Sequence, residues 1–132
     1  MQNGKNEYYS FLIKVSKNDI DDLNHVNNIQ YLNWVLNAAE EHWNLVTNKE
    51  YDKNYAWVVL RHEIDYLKSA KLNNEINITT WIKDNYGVKS ERIVYIKRND
   101  ELLVKAKTIW VLVNKKSMKP VRIPKEISDL FL

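Results

Sequence analysis

One long helix packed against a single antiparallel sheet, an α+β fold, is what this chain predicts, and three observations predict it. Residues 28–46 run without glycine or proline and carry apolar side chains at 29, 32, 36, 39 and 43, a heptad-like spacing that marks one buried helix face. From residue 55 onward the apolar period falls to two, or to short continuous runs, and no second helical pattern returns until the final few residues. Just ahead of the helix stands Asp19-Ile20-Asp21-Asp22-Leu23-Asn24-His25-Val26-Asn27-Asn28, which gathers three carboxylates, one imidazole and three carboxamides into ten residues.

Residues 1–6 are polar and expected to fray. Residues 8–15 are rich in aromatic and branched side chains and read as the first strand. Asn24 or Asn27 can cap the helix, because a short carboxamide accepts from its first free N–H groups, and Thr47-Asn48-Lys49 marks its end. Tyr31, Trp34, Val35 and Ala38 widen the apolar surface beyond a narrow stripe, so the helix needs the cover that a curved sheet provides. Strands are expected over residues 56–67, 75–83, 89–98 and 102–113, with Asp84-Asn85-Tyr86-Gly87 as a glycine turn and Asn99-Asp100 as a tight hairpin. Their succession reads as an antiparallel meander. Pro124 opens a short terminal helical turn that runs to Phe131. The expected whole is a sheet of about five strands curled around one long central helix.

The chain has 132 residues, which suits one domain over residues 1–132. The absence of cysteine removes disulfides, thiolate nucleophiles and Cys-ligated metals. His25, His42 and His62 have no metal-site spacing, and there is no G-x-S-x-G elbow and no glycine-rich phosphate loop. Neither a metal nor a cofactor is expected. A net charge of +3, with basic residues scattered along the chain, argues against a nucleic-acid partner but suits a phosphate-bearing small molecule at a pocket mouth. No apolar run follows a basic N-terminal start and none approaches the roughly 18 residues needed to span a bilayer, so a cytoplasmic protein with no membrane partner is expected.

The segment Asp21-Asp22-Leu23-Asn24-His25-Val26-Asn27-Asn28-Ile29-Gln30-Tyr31-Leu32-Asn33-Trp34 resembles the D-x-x-G-H-V-N-N-x-x-Y-L-x-W signature of hotdog-fold acyl thioesterases. It is similar both to the bacterial acyl-CoA enzymes related to 4-hydroxybenzoyl-CoA thioesterase and to the plant-type acyl-ACP enzymes, whose segment reads D-x-N-Q-H-V-N-N. Tyr66-Leu67-Lys68-Ser69-Ala70 is similar to the weaker Y-x-x-P-A segment of these families, with Ser69 in place of proline. Asn24 replaces the usual glycine, which is tolerable because asparagine enters left-handed conformations more easily than other non-glycine residues. Leu23 stands where the plant-type enzymes carry an active-site asparagine, which tilts the likeness toward the acyl-CoA branch. The resemblance implies a hotdog fold, hydrolysis of an acyl-CoA or acyl-ACP thioester, and a homodimer or dimer of dimers with the site between subunits. It makes Asp21, His25 and Asn28 the catalytic candidates and Asn27, Tyr31, Trp57 and Arg61 the substrate contacts, the last two supplied across a two-fold axis from an edge strand. The apolar run at residues 56–60 on that strand should be covered on both faces.

The chemistry of these residue types fits that implication. A helix N-terminus offers unpaired N–H groups and a partial positive charge, so a polarised carbonyl oxygen is stabilised there. A neighbouring carboxylate such as Asp21 can then activate water or attack directly, although aspartate is also a common turn residue. Asp19 could face the same way as Asp21 in an extended chain, and Asp22 reads as a solvated loop charge. His25 either orients the carboxylate or substrate, or holds the loop. Asn27 is a cap first and a substrate contact second, whereas Tyr31 and Trp34 are core residues that could also line an acyl tunnel. A second hotdog branch carries its carboxylate within the helix, where only Glu40 and Glu41 qualify. A non-catalytic acyl-binding module is the alternative on the same fold. A dehydratase would need an H-F-P-type motif, which is absent.

Overall fold

The computed structural model describes residues 4–132. Residues 1–3 of the terminus expected to fray lie outside the described residues, while Gly4–Glu7 form a helical turn, α1. After it come β1 (Tyr8–Lys14), a 3-10 turn (Lys17–Asp19), α2 (Asn28–Thr47), β2 (Tyr55–Tyr66), β3 (Glu75–Tyr86), β4 (Lys89–Arg98), β5 (Glu101–Asn114) and α3 (Lys125–Phe131). The five strands make one curved antiparallel sheet in the order β1-β3-β4-β5-β2, with α2 packed on one face. Among the described residues no helix is long and apolar enough to cross a membrane.

The meander holds only for β3, β4 and β5. Gly87 (φ 61°) and Asn99 (φ 54°) supply the left-handed residues that turn the two hairpins between them. β2 does not pair with β3. It lies beyond β5 at the sheet edge, because the segment linking β2 to β3 runs across the start of α2 and bonds there instead of closing a hairpin. Asp84, Asn85 and Tyr86 continue β3 past a register shift between Ile82 and Asp84, so the turn begins at Gly87 and not at Asp84.

The helix keeps its expected bounds to within a residue or two but buries a different stripe. Tyr31, Trp34, Val35, Ala38, Ala39 and His42 form the covered face, whereas Ile29 is 68% exposed. Spacings of three and four residues put the covered side chains on successive turns of one face, and Ala38 and Ala39 let the sheet approach closely. Ile76, Ile78, Val94, Ile96, Leu103, Val104 and Ala106 meet them from the sheet. Asn48 closes the helix in the left-handed conformation (φ 50°), with its N–H donating to the Asn44 carbonyl.

Candidate active site

The loop between β1 and α2 is built from its own polar side chains. Asp19 Oδ2 accepts from the Ser16 N–H (2.8 Å) and hydroxyl (3.1 Å), so this carboxylate is engaged in the turn and does not join Asp21. Asp21 Oδ1 accepts from the N–H groups of Leu23 (2.9 Å) and His25 (3.2 Å), and the Asp21 N–H donates to the His25 carbonyl at 2.8 Å. Closing so small a ring requires a left-handed residue inside it, and Asn24 takes that conformation at φ 61°. The carboxylate is therefore fixed through one oxygen. Among the hydrogen bonds of the described residues, none uses Asp21 Oδ2 or the half-buried imidazole of His25.

The start of α2 stands next in the chain. Asn27 is the cap: its Oδ1 accepts from the Ile29 N–H at 2.9 Å, and its carbonyl accepts from the N–H groups of Gln30 and Tyr31. None of the hydrogen bonds of the described residues takes the Asn28 N–H, which leaves that donor open at the start of α2, seven residues after Asp21 in the chain.

Ala70, in the link from β2 to β3, locks loop and helix together. Its carbonyl accepts from the Val26 N–H at 3.0 Å and its N–H donates to the Tyr31 hydroxyl at 2.8 Å. Tyr31 is 2% exposed and packs edge-on against Trp34 and tilted against Tyr66, so the structure places it in the core as the pillar behind the loop. Tyr31→Phe leaves a buried N–H without an acceptor. It is expected to cost about 1–3 kcal/mol, read as a lower melting temperature.

A second feature lies further along α2, where a cavity of about 360 Å³ opens between the helix and the sheet. Trp43, Trp57 and Trp110 wall it, with Trp43 edge-on to Trp57 at 5.7 Å. Trp57 thus joins this cavity, but Arg61 does not. A bulge at Leu60 shifts the register between Val59 and Arg61, so Arg61 and Glu63 point away from the face on which Ile64 packs into the core. Arg61 pairs with Glu63 at 3.7 Å in the open.

Arg92 also lines the cavity, buried at 5% exposure. Its Nη1 donates to His42 Nδ1 (2.9 Å) and Thr80 Oγ1 (3.1 Å). A guanidinium can only donate, so His42 Nδ1 accepts and the ring is the neutral tautomer whose Nε2–H donates to the Asn6 carbonyl at 2.7 Å. Burial pulls the Arg92 pKa down to about 9, leaving it charged at neutral pH. Burial first, and then the Arg92 charge, lower the His42 pKa to about 4.

Because the folded His42 pKa lies below its unfolded value of about 6.5, the unfolded chain takes up the proton first as pH falls. The stability this group confers is intact above about pH 6.5 and is lost as pH drops toward 4, by about 3 kcal/mol at most. His42→Gln can still accept from Arg92 and donate to Asn6 but cannot titrate. Melting temperatures of the two proteins are expected to converge or cross as pH falls from about 7 to 4, with the wild type losing more.

Arg92 and Trp110 were not singled out from the sequence, and Trp43 was read only as part of the apolar stripe of the helix. The available signal was parity: Arg92 falls on the same side of β4 as Val94 and Ile96, so a charged residue occupies an inward position.

A long helix covered by a curved five-stranded antiparallel sheet in this strand order, with a carboxylate loop at the helix start, defines a hotdog-fold protein. A model of the acyl-ACP thioesterase N-terminal domain matches residues 6–131, and the chain belongs to that family of hotdog acyl thioesterases. The chloroplastic palmitoyl-acyl carrier protein thioesterase of Arabidopsis thaliana is 26% identical over 83 residues, 61% of this chain and 20% of that one. The chain thus spans about a fifth of the length of the plant relatives it matches. The acyl-CoA thioesterase YbgC of Haemophilus influenzae is 28% identical over 130 residues, 93% of each chain. The structure of a predicted thioesterase from Bacillus stearothermophilus superposes with a TM-score of 0.83 at 21% identity, covering 92% of this chain and 91% of that one, which shows the shared fold.

Proposed function

We propose that the protein hydrolyses an acyl thioester of coenzyme A or acyl carrier protein to the free acid and thiol, acting as one hotdog domain over residues 1–132. The observation that carries this reading is the Asp21 carboxylate, held through Oδ1 with Oδ2 open, in the loop that runs directly into the start of α2, where the Asn28 N–H is free. In one route Asp21 takes a proton from water, the hydroxide adds to the carbonyl carbon, the Asn28 N–H holds the oxyanion, and the thiolate leaves with the proton from Asp21. In the other, Asp21 attacks the carbonyl, displaces the thiolate and forms a mixed anhydride that water then cleaves. His25, with its imidazole uncommitted, orients the substrate, and Asn27 presents its carboxamide Nδ2 at the same rim.

The site is proposed to be shared between two copies. The Asp21 loop is tied to the far end of β2 through Ala70, whereas the cavity opens near the beginning of β2 at Trp57. Nine residue steps along the strand lead from Trp57 to Tyr66, about 30 Å. Antiparallel pairing of two β2 strands about their middle sets the start of one beside the end of the other, so the cavity of one copy faces the Asp21 loop of the second. Arg61 then lies outside the acyl cavity, where it can meet only the carrier.

Release of free thiol from a panel of acyl-CoA and acyl-ACP compounds of graded chain length tests the reading. Turnover of at least one member is expected. Tight binding across the panel without thiol release would mark an acyl-binding module instead.

A further inference from the structure

The cavity beside α2 holds polar groups that thioester cleavage does not use. Arg92 is buried, its two partners His42 and Thr80 are both neutral, and among the described residues no ion pair includes it. A buried charge without a counter-charge is strongly disfavoured, and arginine does not escape by losing its proton at neutral pH. Trp110 lines the same cavity, and its indole N–H is buried with no acceptor. Ser90, also buried, adds a hydroxyl to the wall. Against these donors the lining offers one carboxylate, Glu40, on an exposed helix position away from any pairing with Arg92. The remaining walls, Leu36, Ala39, Trp43, Trp57 and Ile82, are apolar. A slot with mostly apolar walls and a buried, uncompensated guanidinium among them suits a ligand that is apolar along its length and anionic where it meets Arg92.

We propose that this cavity selects acyl groups whose far end carries a carboxylate, with Arg92 as the counter-charge and the Trp110 indole as a further donor. The inference rests on the thioesterase reading, and names the substrate class of that site. Arg92 matches a carboxylate in charge and in planar donor geometry. A volume of about 360 Å³ equals roughly a dozen water-sized volumes, which suits a medium-length acyl group.

Matched thioesters differing only at the tip test the proposal: hexanoyl-CoA against adipoyl-CoA, and octanoyl-CoA against suberoyl-CoA, followed by thiol release. The wild type is expected to favour the carboxylated member of at least one pair by about tenfold or more in kcat/KM, as one charge-assisted contact allows. Arg92→Met is expected to bring that ratio to one or below. Should Arg92→Met fail to fold, Trp110→Phe removes only the indole donor and is expected to lower the ratio several-fold.

A second readout needs no turnover. Octanoate should raise the melting temperature of the wild type more than 1-octanol at equal concentration, and this difference should vanish in Arg92→Met or shrink in Trp110→Phe. A wild type that prefers the methyl-terminated thioesters, with a ratio unmoved by either variant, overturns the anionic-tip proposal and leaves thioester hydrolysis standing. Octanoate stabilisation through Arg92 with no thiol released from any compound supports the anion site and overturns the hydrolytic reading.

Discussion

Asp21→Asn is expected to lower kcat on any accepted acyl thioester by about 10²–10⁴-fold while leaving the melting temperature close to that of the wild type. The two effects separate because the two carboxylate oxygens have different duties. Oδ1 is a structural acceptor for the Leu23 and His25 N–H groups, and an asparagine Oδ1 accepts the same two bonds. The loop, the left-handed Asn24 and the bond from Val26 to Ala70 all survive the exchange. Oδ2 is the oxygen free to take a proton or attack, and in the variant an amide nitrogen stands there, with neither basicity nor nucleophilicity. Steady-state thiol release together with thermal denaturation checks both halves, and an Asp21→Asn protein with full turnover would end the assignment of Asp21. Rapid-quench mass spectrometry separates the two routes in the wild type, since an acyl adduct on Asp21 forms only if the carboxylate attacks.

The fold was readable wherever a local pattern fixes a local structure. The unbroken stretch from Asn28 and the change to a period of two after residue 55 reflect side-chain geometry within single elements, and α2 and the later strands appear where those patterns place them. The order of the strands was not readable in the same way. That β2 sits beyond β5 depends on the link at Ala70 being consumed by the Asp21 loop, which is a contact between segments distant in sequence.

The site divides along the same line. Asp21, Asn24, His25, Asn27 and Asn28 lie within eight residues, so one motif displays them together. Their hydrogen bonds are equally local: an aspartate bonding N–H groups two and four residues on, and an asparagine capping its own helix. Arg92, His42, Thr80 and Trp110 come from α2, β3, β4 and β5 and meet only after the sheet closes on the helix. The helix stripe was misjudged for a related reason. The spacing put Ile29-Leu32-Leu36 at the centre of the buried face and Tyr31, Trp34, Val35 and Ala38 at its widened margin, and the Tyr31 bond to Ala70, a tertiary contact, accompanies the reverse.

Glutamates at Val58 and Leu60 together are expected to leave a monomer with kcat/KM reduced by on the order of 100-fold or more, the scale at which misplacing reacting groups acts. β2 is one of the two edges of the sheet, and it is the long apolar one: twelve residues against seven in β1, with Val58, Val59 and Leu60 at 41%, 40% and 58% exposure in the single chain. Unpaired backbone groups beside exposed apolar side chains favour a second β-strand, and an identical strand across a two-fold axis closes the β2 edge of both copies at once. Charges at these two positions put like charges against each other across that axis, while in the monomer both side chains remain in water. Light scattering reads the assembly state and thiol release the activity. Mixing provides the sharper comparison. An Asp21→Asn protein and a Trp57→Lys protein are each expected to be nearly inactive. If the cavity of one copy serves the Asp21 loop of the other, co-refolded subunits regain activity, because each mixed dimer holds one site with both residues intact. Mixed dimers that stay inactive would refute the shared site, and a stable monomer with full activity would refute the dimer as well.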